Sequence, residues 1–383
     1  MLKSAILLLS ILTVFAGAAV SPALADIARA FPHVDTTGIK SLLTAPAITI
    51  VLTTPFVGFL ERLLGQKVLL VGGLVIYVIG GVGAGLVGDF TALFALRLLL
   101  GVGIGIIMPM STALIAQYYA GPERVQMMGW SSSMTNLGSI LANLLAGYLT
   151  LITWRWAFGI YGIAMLVLLA AIVAIPRHRP TVNAGALSRA PLPLSVYGWA
   201  AGMFFLMLGT FAIPVNMALF LTENGIGGSR ESGIAVSLMT GTGFVAGLLL
   251  RSIRKVLGAS IFVVMLVAVG AGFWLLSQAL TFPAVLLGMV FIGFGNGCLM
   301  PMLFVGASEV TEGSRTVSAM AVMTALIFIG QFCSPLLLDA LSHLLGDGSY
   351  RFIFSTVAVG FLVAAALVAL SRGGRVFRTG EKR

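Results

Sequence analysis

The stretch LFALRLLLGVGIGIIMPMSTALIAQYY, from Leu93 to Tyr119, is mostly apolar yet holds one arginine, a ladder of three glycines and a proline. A helix rises about 1.5 Å per residue, so this stretch can cross a hydrocarbon core of roughly 30 Å. Arg97 is the anomaly in it. A guanidinium is costly in lipid, so it must face a partner or a wet cavity, and an ionisable residue at that depth is a functional hypothesis by default. Arg97, Gly101, Ile104 and Met108 fall at i, i+4, i+7 and i+11. They share one helical face, so the arginine and the glycine notch address one neighbour or cavity.

The surrounding chain has 383 residues, of which 59% are hydrophobic and 9% charged, with a mean hydropathy of +1.09. Too little polar surface is available to cover a soluble globule, which predicts an all-α integral membrane protein in a lipid bilayer. The net charge of +10 sits mainly in short gaps between apolar runs. That pattern is a topology signal and excludes nucleic acid as a partner. Cys298 and Cys333 lie inside apolar runs and read as small buried hydrophobes. His33, His178 and His343 fall at loops or helix ends, and no Ser/His/Asp or HExxH arrangement is present. No enzyme activity, cofactor or metal centre is expected. The glycine run at 101, 103 and 105 lacks the preceding strand and following lysine of a phosphate loop.

Apolar runs occur at about 4–28, 39–60, 67–88, 91–119, 126–150 and 156–176, then at 195–222, 231–250, 257–279, 282–308, 316–343 and 351–371. Twelve transmembrane helices follow, in two groups of six. The domains expected are a six-helix bundle at 1–176, a polar, proline-rich linker at 177–194, a second bundle at 195–371 and a basic tail at 372–383. With the N-terminus placed inside, most Lys and Arg collect on the inner side, so both termini are expected in the cytoplasm. Lys3, the first apolar run and Ala23 to Ala25 together resemble a signal peptide.

The halves repeat each other, which argues against cleavage there. Gly103 to Met110 (GIGIIMPM) recurs as Gly295 to Met302 (GNGCLMPM), and Pro109 stands as far from Pro301 as Pro22 from Pro214. Six helices per half make this a parallel, pseudo-symmetric repeat about the membrane normal, an arrangement with a substrate site between halves.

At this point the chain resembles the major facilitator superfamily, and within it the twelve-helix drug and metabolite exporters. Gly58 to Lys67 resembles the signature G-x-L-x-D-R-x-G-R-K through Gly58, Leu60, Gly65 and Lys67, but Arg62 stands where the aspartate belongs and Glu61 comes one residue early. An inner gate loop of Gly58, Glu61, Arg62, Gly65 and Lys67 is implied, with an ion pair from Glu61 to a neighbouring helix end. A solvated loop that only sets topology is the alternative. Arg97, Gly101 and Gly103 match R-x-x-x-G-x-G, in which the arginine is implicated in proton coupling. Pinning of the helix through a buried ion pair is the structural alternative.

Gly129, Gly138 and Gly147 keep the spacing of the exporters' fifth-helix motif, while its Gly-Pro pair is Ala142-Asn143. Asn136 and Asn143 share a face, for substrate contact or interhelical hydrogen bonding. Ser21 to Ala28 resembles the P-A-L-x-D-I-A ending of exporter first helices and supplies Asp26 as the expected partner of Arg97. Separation of that pair is expected to release or capture a proton. Trp154-Arg155-Trp156 resembles an exporter motif and reads as an interfacial anchor. The resemblance implies that helices 1, 4, 7 and 10 line a central cavity. Asn216, Asn296, Met108 and Met300 are candidate contacts there, with Phe328 and Gln331 on helix 11.

The expected function is proton-coupled export of an amphiphilic small molecule, such as a drug, metallophore or metabolite. The site of action would be the plasma membrane of a prokaryote, the inner membrane in a Gram-negative cell, with the protein a monomer. A proton symporter importing a metabolite and a non-transport membrane sensor are the alternatives.

Overall fold

The computed structural model describes residues 2–174, 192–311 and 314–370. Every regular element among the described residues is helical, and ten helices there are long and apolar enough to cross a membrane. The two other passages miss that criterion for visible reasons. The first is broken, because α1 (Leu2–Ala18) ends at Ala19-Val20 and resumes as α2 (Leu24–Ala30) only after a 3₁₀ turn, Ser21–Ala23. Pro22 has no N–H for the helical ladder at that point. The fifth is a 29-residue helix that carries Ser131, Ser132, Ser133, Thr135, Asn136, Ser139 and Asn143. Together the helices are consistent with twelve passages.

Two compact units are present. The first comprises Met1–Ala184, Met217–Thr222 and Gly227–Ser237, the second Gly185–Asn216, Glu223–Ile226 and Leu238–Arg383. The expected linker at 177–194 lies outside the described residues except for 192–194, and the basic tail at 372–383 lies wholly outside them.

In the first unit α3 (Thr36–Thr53), α4 (Val57–Leu64) and α5 (Gln66–Ala84) are followed by α6 (Phe90–Tyr118), α7 (Gly121–Leu149), the short α8 (Trp154–Ala157) and α9 (Ile163–Ala174). Asp35 and Asp89 cap α3 and α6 with side-chain acceptors, as N-cap carboxylates do. The α6 helix packs against α1, α3 and α5. Its glycines explain how it comes so near. A Cβ on Gly101 would overlap Thr49 Oγ1 and the Pro46 carbonyl of α3, and one on Gly103 would stand 2.8 Å from the Tyr77 nitrogen of α5.

The second unit takes α10 (Leu194–Thr210), α13 (Ile261–Gln278), α14 (Phe282–Glu309), α15 (Ser314–Leu345) and α16 (Tyr350–Leu370). Its residues from α11 (Ala212–Glu223) and α12 (Ser229–Leu257) are those outside the two short segments of the first unit. The sequence repeat reappears as packing. A Cβ on Gly293 would overlap Thr242 Oγ1 and the Met239 carbonyl of α12, while Gly295 faces the Met265 carbonyl of α13.

A second echo joins two arginines. Arg155 Nη1 donates to the carbonyls of Gly85 (3.2 Å) and Val87 (2.7 Å) at the end of α5. Arg351 donates to those of Ser277 and Ala279, both 2.7 Å, at the end of α13. Gly85 and Val87 precede Ser277 and Ala279 by the same interval that separates Pro109 from Pro301. Each guanidinium satisfies carbonyls that a helix C-terminus leaves open. In the loop before α16, hydrogen bonds from Ser349 hold the Asp347 carboxyl below its ordinary range.

Candidate functional site

Arg97 is fully buried in the first unit. Its Nε donates to the Leu42 carbonyl at 2.9 Å, and its Nη1 to the Tyr161 hydroxyl at 2.7 Å. Leu42 lies four residues before Pro46, inside α3. Proline has no N–H, so the Leu42 carbonyl lacks its helical donor, and Arg97 takes that place. Tyr161 passes the connection on, donating to the Phe15 carbonyl at 3.0 Å, just before the break in the first passage. Tyr77 donates to the Leu12 carbonyl at 3.0 Å, and its ring meets that of Tyr161 edge-on at 5.8 Å. Two phenols and a guanidinium thus hold carbonyls of α1 and α3.

A separate hydroxyl cluster joins α1, α6 and α7. Ser10 Oγ is 3.2 Å from Ser111 Oγ and 2.6 Å from Ser131 Oγ, and Thr135 Oγ1 donates to the Ser10 carbonyl at 3.2 Å.

The Asp26 carboxylate is given to other partners than Arg97. One oxygen pairs with Arg29 Nη1 at 2.9 Å, and the other accepts from Ser229 Oγ, the first residue of α12. The expected pair with Arg97 is therefore not formed. The break at Ala19-Val20 makes α2 a separate helix, where Arg29 at i+3 meets the carboxylate. Further contacts draw the start of α12 onto α7. A Cβ on Gly147 would lie 2.9 Å from the Ser229 carbonyl, one on Gly233 would lie 2.5 Å from the Asn143 carbonyl, and Ser237 Oγ donates to the Ile140 carbonyl at 3.0 Å. In the fifth-helix motif, Gly147 serves this approach and Gly138 packs on Ile11, whereas Gly129 faces open space.

The asparagines share one geometry. Asn136, Asn143 and Asn216 each donate from Nδ2 to the carbonyl four residues back, that of Ser132, Ser139 and Ala212 respectively, at 2.8 to 2.9 Å. Asn143 and Asn216 are 2% and 0% exposed, and the Oδ1 atoms of both, like that of Asn296, have no hydrogen-bond partner among the described residues. The interhelical amide bond considered for Asn143 is absent among the described residues. Met108, Met300, Phe328 and Gln331 are half-buried.

In the loop between α4 and α5, Gly65 has φ +82°, a conformation that requires glycine. Lys67 Nζ donates to the Ile172 carbonyl in the last turn of α9. Arg62 is exposed, Gly58 has open space at its Cβ position, and Glu61 is buried with no ion pair among the described residues. Gln66 Nε2 instead joins Gln117 Oε1 at 2.9 Å.

Residues 6–311 match the profile of the Major Facilitator Superfamily. The chain belongs to that family. Among superfamily relatives, the quinolone resistance protein NorA of Staphylococcus aureus is 24% identical over 321 residues, covering 78% of this chain and 79% of NorA. The multidrug transporter protein MdtP of Bacillus subtilis is 30% identical over 118 residues, or 30% of this chain, and the match spans only 22% of MdtP. The superfamily fold is equally plain in solved structures. A point mutant of the nucleoside transporter NupG superposes with a TM-score of 0.78 at 14% identity, covering 98% of this chain and all of NupG. A bacterial homologue of the human lysosomal transporter Spinster gives 0.73 at 16%, covering 98% of this chain and 96% of its own. Family and structural neighbours are transporters of small molecules, not enzymes, and this superfamily member is a multi-pass membrane transporter.

Several residues of this superfamily chain are not singled out by sequence reasoning. Tyr77, Tyr161 and Lys40 are among them, and all three are buried. Serines in a run at 131–133 are a usable signal, because hydroxyls inside a membrane helix seek partners. The tyrosines give none. Their partners lie 65 and 146 residues away in the chain.

Proposed function

We propose that this transporter exports an amphiphilic small molecule in exchange for protons, by alternating access. The observation that carries the substrate reading is the acceptor oxygens of Asn143 in the first unit and of Asn216 and Asn296 in the second, which have no hydrogen-bond partner among the described residues. A solute bringing N–H or O–H donors on an apolar body would satisfy acceptors of this kind, and a purely apolar one would not. Similarity to NorA over most of the chain supports the export direction. Met108, Met300, Phe328 and Gln331 supply adaptable contacts around such a solute.

Asp26 is the proposed proton site. Protonation removes the charge that holds Arg29 and weakens the acceptor that holds Ser229, which frees the start of α12 from α2. Arg230, stacked on Tyr148, is the next cation along α12. Arg97 acts through position, keeping α3 and the break in the first passage in register. We place both termini and the linker in the cytoplasm and take the working unit to be a monomer.

Everted membrane vesicles test the direction. With an acid interior, they should accumulate a fluorescent amphiphilic amine in the presence of this protein. Accumulation only under the reversed gradient would replace export by import symport, and absence of counterflow in proteoliposomes would remove transport altogether.

A further inference from the structure

The second unit contains a cavity of about 520 Å³ between α10, α13, α14, α15 and α16. The volume is within the range of small-ligand sites, but its chemistry differs from them. Thr356 is the one hydroxyl-bearing residue lining it, and no charged, amide or ring-nitrogen side chain does. A ligand with a polar centre would lose hydration there and gain no fixed partner. What fits is a chain of methylenes.

Shape and access agree with that chemistry. Along α16 the lining runs from Thr356 to Val368, a rise of about 18 Å at the helical repeat. Such a groove is elongated along a membrane-spanning helix. Phe205, Val363 and Leu367 on its rim are 65%, 51% and 62% exposed, in segments long and apolar enough to cross the bilayer. Gly360 opens the middle of the groove. It is exposed, and a Cβ built there would meet nothing within 4 Å.

We propose that this groove is a binding site for one acyl chain of a membrane phospholipid, lying lengthwise against α16 with Gly360 as the notch that admits it. No titratable side chain takes part, so occupancy is independent of pH and of headgroup charge. The site is distinct from the asparagines assigned to the transported solute.

The test uses the full-length protein in proteoliposomes containing a phosphatidylcholine with a diazirine in one acyl chain. After irradiation, adducts are mapped by peptide mass spectrometry, with exposed Leu248 and Leu249 of α12 as the reference lipid surface. Adducts on α10 and α16 around the groove should exceed the reference by at least about fivefold, the factor for roughly 1 kcal/mol of preferential occupancy. Gly360→Leu, which fills open space and favours the helix, should bring them down to the reference level while leaving the α12 adducts and thermal unfolding unchanged. Labelling equal to the reference in the unsubstituted protein, or unchanged in Gly360→Leu, would overturn the proposal. Displacement of the photolipid by an equimolar amphiphilic amine would overturn it as well, since the groove would then be a solute site.

Discussion

Arg97 donates to the carbonyl of Leu42, the one carbonyl of α3 that Pro46 deprives of its helical donor. A buried charge and a missing helical hydrogen bond, each costly alone, offset one another.

That relationship predicts thermodynamic coupling. Arg97→Ala should destabilise the protein by about 3 kcal/mol, because the charge-assisted hydrogen bonds to the Leu42 carbonyl and the Tyr161 hydroxyl are lost in a buried setting. In a Pro46→Ala background the helix can supply its own donor to Leu42, so the same substitution should cost roughly 1 kcal/mol less. Thermal unfolding of the four proteins in detergent measures the cycle. Additive effects would show that Arg97 does not serve the proline.

The glycine approaches predict a contrast within one residue type. Gly101→Ala and Gly293→Ala force a methyl into backbone of α3 and α12 and should each cost about 2 kcal/mol or more, in the range of overpacked cores. Gly129→Ala meets nothing within 4 Å and should leave stability unchanged or raise it by up to about 1 kcal/mol. Relative melting temperatures decide between this pattern and uniform tolerance.

Arg155 and Arg351 cap matched helix ends, so their removal should look alike. Each change to Ala should lower stability by roughly 1–3 kcal/mol, the scale of charge-assisted hydrogen bonds. Lysine should recover only part, since one ammonium cannot reproduce the guanidinium fork. An effect at one site and none at the other would break the pairing of the two units.

Asn143→Ala separates binding from packing. Removing an amide whose acceptor is unsatisfied should leave the melting temperature almost unchanged, because the lost bond is local and the stranded oxygen leaves with it. Stabilisation by a bound amphiphilic amine should fall, as expected when affinity for the folded state drops. Lower intrinsic stability with unaltered ligand stabilisation would return Asn143 to packing.

Much of the architecture is legible in the chain because a bilayer imposes length and apolarity on every passage. The repeat of GIGIIMPM as GNGCLMPM also anticipates matched glycine contacts in both units. The site is less legible. Arg97 stands out as a lone charge, but its partners are a backbone carbonyl and a phenol, which carry no charge pattern to search for. Pairing it with Asp26 follows from scarcity of carboxylates. The break at Ala19-Val20, visible only as Pro22 in the sequence, puts Asp26 on a separate helix with Arg29 and Ser229. Glu61 is likewise expected to form an ion pair, while the loop joins α6 through two neutral amides, Gln66 and Gln117.

The central claim is that protons drive export through Asp26, and proton flux in proteoliposomes tests it most directly. With a pH dye trapped inside, adding an amphiphilic amine to vesicles holding the unsubstituted protein should produce substrate-dependent proton movement opposite to substrate flow. Asp26→Asn should abolish that movement while preserving substrate counterflow. Undiminished proton movement in Asp26→Asn, with counterflow intact, would contradict the account.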